Sequence, residues 1–377
     1  MERWLEELKE RKSFIMYGAG VIARQVAGCL MEKPYELRAE YFIVSDKKDN
    51  PDELFGSPVI DLDTADKITP RDAVIVIGTS EKHLDPILEK LRERGYTQIL
   101  PLTFNSDLWE RVREQHFIEY QRFRQKPYRT LEEEVEKYLP GLPESDKRAS
   151  RVHIYTVQSH ADKVLQEDLS RYSWEIPIQA GASLTDKRIC EICDNQGEHI
   201  SDKNQKYCEL TALYWIWKHD KAEYIGLDHY RRHFEVNPEL LKALAQSDID
   251  TVLTIPILNI PNVRAVYEQD HIPEDWNIMM EGLSVLAPDY IEAAERLESG
   301  KYYHAYNMFI MRREILEDYC AWLFPILAYC EVRCREKAEP YQNRYIGFLA
   351  ERLMAIYFLH HEEHYKIVHA RKHFAER

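Results

Sequence analysis

The strongest pattern in the chain is a helix-spaced apolar run followed by a short apolar segment and then a burst of charge. In Glu209 to Phe234 (ELTALYWIWKHDKAEYIGLDHYRRHF), Leu210, Leu213, Tyr214 and Trp217 recur at helical spacing and predict a half-buried helix. Tyr224-Ile225-Gly226-Leu227 suits a buried strand, which is expected to stop at Asp228-His229-Tyr230-Arg231-Arg232-His233. Six polar or aromatic residues directly after a buried strand are costly unless they face a cleft. In open α/β sheets ligands bind just past the carboxyl ends of strands. An acid, two imidazoles and an arginine pair there suit an anionic, oxygen-rich ligand such as a sugar diphosphate. The plainer alternative is a surface loop of solvated charges.

Upstream, the pattern alternates strand and helix. Residues 1–11 predict a short helix and Ser13–Tyr17 a strand. Gly18-Ala19-Gly20-Val21-Ile22-Ala23 follows and opens a helix to about Met31, a GxGxxA form of the dinucleotide fingerprint. The strand Glu40–Val44 ends at Ser45-Asp46, with Asp46 placed where a ribose-binding carboxylate belongs. Val59-Ile60, the strand Ala73–Gly78, a helix from Glu81 to Gly95 and the strand Gln98–Leu102 complete a small Rossmann-like parallel-sheet domain over residues 1–103. Gly18, Gly20 and Asp46 form a candidate nucleotide site. Glycines of this kind also serve close helix–strand contact alone, so a structural role stands level with ligand binding. Residues 104–150 read as a charged helical linker, broken at Pro140-Gly141-Leu142-Pro143, with the boundary at 145–150.

A second α/β domain is expected over residues 151–377. Its strand Arg151–Val157 ends at Gln158-Ser159-His160, and Pro177–Gly181 and Cys190–Ile200 follow. Ser201 or Asp202 can cap the next helix, while Asn204 either belongs to that cap or faces a ligand. Leu240–Ala245 reads as helix and Thr251–Ile255 as strand. Asp248-Ile249-Asp250 is a DxD, but it precedes its strand and reads as a solvated loop. Pro261–Asn277 reads as a long irregular loop of the kind that forms lids. Tyr303–Met311 is read as one strand, and Arg313–Tyr329 and the stretch from Arg344 as helices. Glu351 and Arg352 on that last helix either pair locally or place a carboxylate in the cleft.

Composition narrows the class. The 377 residues are 45% hydrophobic and 11% aromatic, enough for two cores, and no run of about 18 apolar residues exists to cross a membrane. The charged, amphipathic start lacks a secretory h-region, so a cytoplasmic location is expected. A net charge of -15 argues against general nucleic-acid binding. Seven scattered cysteines suggest no disulfide framework, and the lone Cys190-Glu191-Ile192-Cys193 lacks the second ligand pair of a structural zinc site.

Several motifs of the second domain together resemble one family. They are QSH (158–160), PIQAGA (177–182), D-x-x-G-x-x-IS-x-KN (194–204), YCELTALYWIWK (207–218), YIGLDHYRRHF (224–234), NMFIM (307–311) and GFLAERL (347–353). The resemblance is to a bacterial domain-of-unknown-function family of capsular and exopolysaccharide gene clusters whose members are taken to be glycosyltransferases. It implies a GT-A-like α/β domain that moves a hexose, galactose foremost, from a UDP-sugar. The implied acceptor is a glycan or is lipid-linked, which brings peripheral contact with the inner membrane face. A homo-oligomer is a further expectation.

GT-A enzymes commonly carry DxD at the strand end, whereas this chain has Asp228-His229-Tyr230. Either Asp228 shares Mn²⁺ or Mg²⁺ with a distant ligand, or Arg231 and Arg232 neutralise the diphosphate without metal. Leaving-group stabilisation falls to Arg231, Arg232 and His229, and the base to Glu351 or Asp228. His160, Asn204, His229, Tyr230, Asn307 and Arg352 are the expected donor contacts. No redox cofactor is expected. A non-catalytic nucleotide-sugar-binding or scaffolding subunit of an assembly complex is the alternative, favoured by the missing DxD. An oxidoreductase built on Gly18-Ala19-Gly20 ranks last.

Overall fold

The computed structural model describes residues 8, 10–140 and 151–375. The helix expected over residues 1–11 falls mostly outside the described residues, and the boundary expected at 145–150 falls outside or at their edge. The chain divides into two compact units, Met1–Pro127 and Tyr128–Arg377.

The first unit carries a six-stranded sheet of β1 (Ser13–Tyr17), β2 (Arg38–Val44), β3 (Glu53–Leu54), β4 (Ser57–Asp61), β5 (Ile75–Ile77) and β6 (Ile99–Pro101). Its order is β3-β4-β2-β1-β5-β6, parallel throughout except for the β3–β4 pair. The α/β alternation read from the sequence is therefore realised as a Rossmann-like sheet. One core packs Ile15, Tyr17, Ile43, Ile75 and Ile77 against Leu62, Leu91 and Tyr96.

Helix α1 (Val21–Met31) leaves β1 through the glycine turn. Gly18 sits at φ +117, and a Cβ there would lie 2.7 Å from the Gly78 carbonyl oxygen. A Cβ on Gly78 would lie 2.6 Å from Ala23 Cα. Both glycines thus let α1 approach the sheet closely. Helix α2 (Asp107–Phe123) packs on the same side: the Tyr35 hydroxyl donates to the Val112 carbonyl at 2.9 Å and His116 meets Glu32 at 3.2 Å. Residues 104–127 thus belong to the first unit. By contrast, Leu131 and Val135 lie in the second unit's core. The stretch read as one linker divides at Pro127/Tyr128 because its two helices bury apolar faces in different cores.

The second unit is built on β7 (Val152–Gln158), β8 (Ile176–Gln179), β9 (Ile192–Cys193), β10 (Tyr224–His229), β11 (Arg232–Phe234), β12 (Thr251–Thr254), β13 (Ile257–Leu258), β14 (Tyr302–Tyr303), β15 (Phe309–Arg312), β16 (Ile367–Ala370) and β17 (Lys372–Phe374). The main sheet runs β16-β12-β15-β10-β7-β8-β9. β7, β8, β9 and β10 are parallel, and β15 runs antiparallel between β10 and β12. A Cβ on Gly226, mid-β10, would press on Ile154 at 2.8 Å and Ile310 at 3.1 Å, so glycine is what lets both neighbouring strands close over it. Helix α3 (Leu210–His219) precedes β10, α4 (Arg313–Arg333) follows β15, and α5 (Tyr345–His360) runs nearly fully buried. No described helix is long and apolar enough to cross a membrane.

Three expectations change. The strand Tyr224–Leu227 continues through Asp228 and His229, turns at Tyr230-Arg231 and returns as β11, with His229 opposite Arg232. Pro261–Asn277 is not an irregular loop. It holds the helix Val263–Asp270, capped by the Asn262 side chain, and the start of the helix Pro273–Leu286, opened by its proline; the two helices bury Val263, Tyr267, Trp276 and Met279. Tyr303–Met311 is not one strand, because Tyr306 and Asn307 take left-handed φ of 71° and 51° and break it into β14 and β15.

Gly78→Ala is expected to destabilise the first unit by about 1–3 kcal/mol, since backbone rather than a flexible side chain must yield. Denaturant unfolding of the full chain measures this, and a loss below about 0.5 kcal/mol, the scale of a neutral surface change, would show that α1 is free to move.

Candidate functional site

The hairpin β10–β11 decides where the charged residues go. Successive strand residues point to opposite faces, and residues opposite each other in a pair share a face. His229 and Arg232 therefore lie together on one face, while Asp228 and His233 lie on the other.

On the first face the left-handed turn Tyr306–Asn307 is the organising element. A non-glycine residue in this region costs roughly 1–2 kcal/mol, so the surroundings must hold it. His229 Nε2 donates to the Tyr306 carbonyl at 2.5 Å. The Tyr306 amide donates to Glu351 Oε1 at 2.9 Å, and Asn307 Nδ2 donates to Glu209 Oε1 at 2.6 Å. The Arg232 guanidinium lies 4.3 Å from the Tyr306 ring centre. Cys208, next to Glu209, has φ 51° and receives the Arg344 Nε at 3.1 Å. Arg352 is buried on α5, donating to Glu351 at 2.9 Å and lying over the Tyr303 ring. Two carboxyls, three guanidiniums and one imidazole thus gather beside strained backbone.

Their protonation states are displaced. Burial raises the Glu209 carboxyl above its ordinary value, with Asn307 and the guanidiniums of Arg344 and Arg232 partly opposing. Burial also raises Glu351; Arg352 opposes and the neighbouring Glu209 adds to the rise. Burial, then the Arg232 charge, lowers His229 to about 4. His229 is accordingly neutral near pH 7. With its Nε2 proton committed to Tyr306, its Nδ1 is an acceptor, and it adds no positive charge for a leaving group.

Other expected site residues lie elsewhere. Arg231 shares the Phe374 ring with Arg232, their guanidiniums lying 4.2 and 5.2 Å from the ring centre, and its Nε donates to the Ala375 carbonyl at 3.3 Å. Asn204 spends its amide hydrogens on the Cys208 carbonyl and the Thr211 hydroxyl and fills the space against Gly181, so it braces the chain instead of reaching a cleft. Asp228 is fully buried, with Oδ2 accepting the Phe234 amide at 3.1 Å. It stands on the face away from Glu351. His160 and Tyr230 line a cavity of about 580 Å³ on that other side, along with Gln158, Lys163 and Lys187. Asp248 and Asp250 hold Lys366 just before β16: Asp250 accepts its amide and Asp248 its ammonium.

In the first unit Gly20 precedes α1 with open space at its Cα, whereas Gly18 is accounted for by the close approach of α1. The exposed Asp46 accepts the Lys48 amide at 2.9 Å.

A family model described as a domain of unknown function, DUF4422, matches residues 153–363, which hold both faces of the hairpin. The chain belongs to this family. No curated protein matches it. Among solved structures, this DUF4422 chain is similar to the apo structure of the bifunctional glycosyltransferase WbbM, with 27% identity and a TM-score of 0.54. The match covers 60% of this chain and 45% of WbbM, so the DUF4422 protein spans less than half of that relative's length.

Glu209 and Arg344 were not singled out in the sequence. Glu209 lies at the start of a helix that reads as purely structural, and its partner Asn307 is 98 positions away. The pH dependence of His229 is testable. Its folded value near 4 lies below the usual 6.5, so between these the unfolded chain takes up a proton that the folded chain refuses. The imidazole's contribution is present above pH 6.5 and is lost as pH falls towards 4. The stability deficit of His229→Gln relative to wild type should therefore narrow over that window. Denaturation midpoints at pH 7.5, 5.5 and 4.5 check this, and a constant deficit would mean that His229 titrates normally.

Proposed function

We propose that the second unit is a glycosyltransferase of GT-A type that moves a hexose, galactose foremost, from a UDP-sugar to a glycan or lipid-linked acceptor of a bacterial surface polysaccharide. The observation that carries this reading is the convergence of Glu209, Glu351 and Arg232 on the left-handed Tyr306–Asn307 turn. The similarity to WbbM supports the reaction class, and the mixed sheet, with β15 antiparallel between β10 and β12, suits a nucleotide-sugar fold.

Transfer requires that the departing diphosphate be neutralised and that the acceptor hydroxyl lose a proton. Arg232, half-buried, and Arg344, exposed, supply fixed positive charge for the diphosphate. The two raised carboxyls supply the base. A carboxyl raised toward neutrality accepts a proton from a hydroxyl more readily than an ordinary surface carboxylate. Glu351 is held by the Tyr306 amide, and Glu209 by Asn307. Neutral His229 holds the turn that places both.

Release of UDP from UDP-galactose and UDP-glucose measures the activity. Glu351→Gln and Glu209→Gln should each lower turnover, by about 10²–10⁴-fold for the one that acts as base. Arg232→Ala should lower it about 10²–10³-fold. Full turnover in all three variants sinks the assignment. Donor binding without any UDP release by the wild type favours the scaffolding alternative.

A further inference from the structure

The other face of the hairpin carries a second cluster that the transfer chemistry does not use. Among the described residues, one group of three side chains, Glu175, Asp228 and His233, places a ligating atom from each within 4.8 Å of the other two. All three are buried, at 9%, 0% and 2% exposure. Glu175 Oε2 accepts from His233 Nδ1 at 2.8 Å and from the Thr156 hydroxyl. Asp228 Oδ2 is taken by the Phe234 amide. That leaves Glu175 Oε1, Asp228 Oδ1 and His233 Nε2 buried with no hydrogen-bond partner.

Two buried carboxyls at this spacing cannot both stay ionised without a counter-charge, and among the described residues no guanidinium or ammonium bonds either of them. A shared proton, an imidazolium at His233 or a bound cation can supply it, and the imidazolium would leave its Nε2 proton buried with no acceptor. A shared proton would join the two carboxyls but would leave an imidazole nitrogen buried without a partner, at a cost of about 1–3 kcal/mol. A cation draws on all three side chains. We propose that Glu175, Asp228 and His233 form a divalent-metal site for a borderline ion of the Mn²⁺ or Zn²⁺ kind.

The donor set supports that class. Two carboxylates and one imidazole suit Mn²⁺ or Zn²⁺ better than Mg²⁺ or Ca²⁺, which favour all-oxygen shells. Ligand bonds of about 2.0–2.2 Å put ligand atoms roughly 3–4 Å apart, so closure from this spacing takes only a small movement. The outer shell is built: Thr156 and Phe234 orient the two carboxylates, and Tyr172 stacks on the His233 ring with centroids 4.4 Å apart. Glu175 and His233 also line the cavity of about 580 Å³, which provides a path for the ion and room for water as a further ligand. Glu175 comes from the segment before β8 and His233 from the returning hairpin strand, so the site is not a DxD pair. It lies across β10 from Glu351 and the Tyr306–Asn307 turn.

The test uses the full chain, stripped with EDTA and dialysed, and needs no sugar donor. Mn²⁺, Zn²⁺ and Mg²⁺ are titrated by calorimetry and by thermal shift. The expected result is one equivalent of Mn²⁺ or Zn²⁺ with a raised melting temperature and much weaker Mg²⁺ binding. Co²⁺ should give a visible d–d band, and Glu175→Gln and His233→Gln should each lose at least tenfold in affinity. The proposal is overturned if the wild type binds none of the ions saturably, or if either variant binds like the wild type. It is also overturned if Glu175→Gln raises the melting temperature while metal has no effect, which is the mark of a shared proton. Should a variant fail to fold, the wild-type titration and Co²⁺ spectrum still decide. Loss of transferase activity elsewhere would not alter these readouts.

Discussion

The two-residue repeat of a β-strand is the constraint on which the site depends. Asp228 and His229 are neighbours in sequence, yet the pleat sends them to opposite faces of β10. Because β11 folds back directly, Arg232 lands beside His229 and His233 beside Asp228. A charged hexapeptide that reads as one functional patch is thus two half-sites back to back. Each is completed by residues from distant segments: Glu209, Asn307 and Glu351 on one side, Glu175 on the other.

Strain and charge reinforce each other on the first side. The left-handed Tyr306–Asn307 turn persists because a neutral imidazole, a carboxylate and a second carboxylate-bound amide hold its polar groups. Those same bonds fix both carboxyls in place. Burial first, and then the Arg232 guanidinium beside the turn, keep the imidazole of His229 neutral.

Much of this architecture was legible in the sequence, and the exceptions have identifiable causes. Apolar runs such as Phe14–Tyr17 and Tyr224–Leu227 are long enough to mark buried strands, and the strand–helix alternation marks the first unit. The helical turns within 263–277 were missed because polar side chains crowd their exposed faces, although Asn262 and Pro273 are ordinary helix openers. The break in Tyr303–Met311 could not be read, since a tyrosine gives no local sign of a left-handed φ and the bonds that impose it come from positions 229 and 351. Glu209 and Glu175 were invisible for the same reason: each looks like an ordinary residue at the edge of an element, and its role is set by a partner far along the chain.

Placing both clusters on one short hairpin ties their energetics together. The turn has only Tyr230 and Arg231 between its strands, and Arg231 is itself anchored by the terminal segment at Phe374 and Ala375. Such a hairpin has little freedom to let one face move while the other stays. Whatever neutralises the buried carboxyls of Asp228 and Glu175 also sets how firmly β11 is held, and hence where Arg232 lies over Tyr306. The Asp228 side of the strand is no passive backing, since an unbalanced charge buried there would be relieved most easily by displacing the strand that carries the guanidinium.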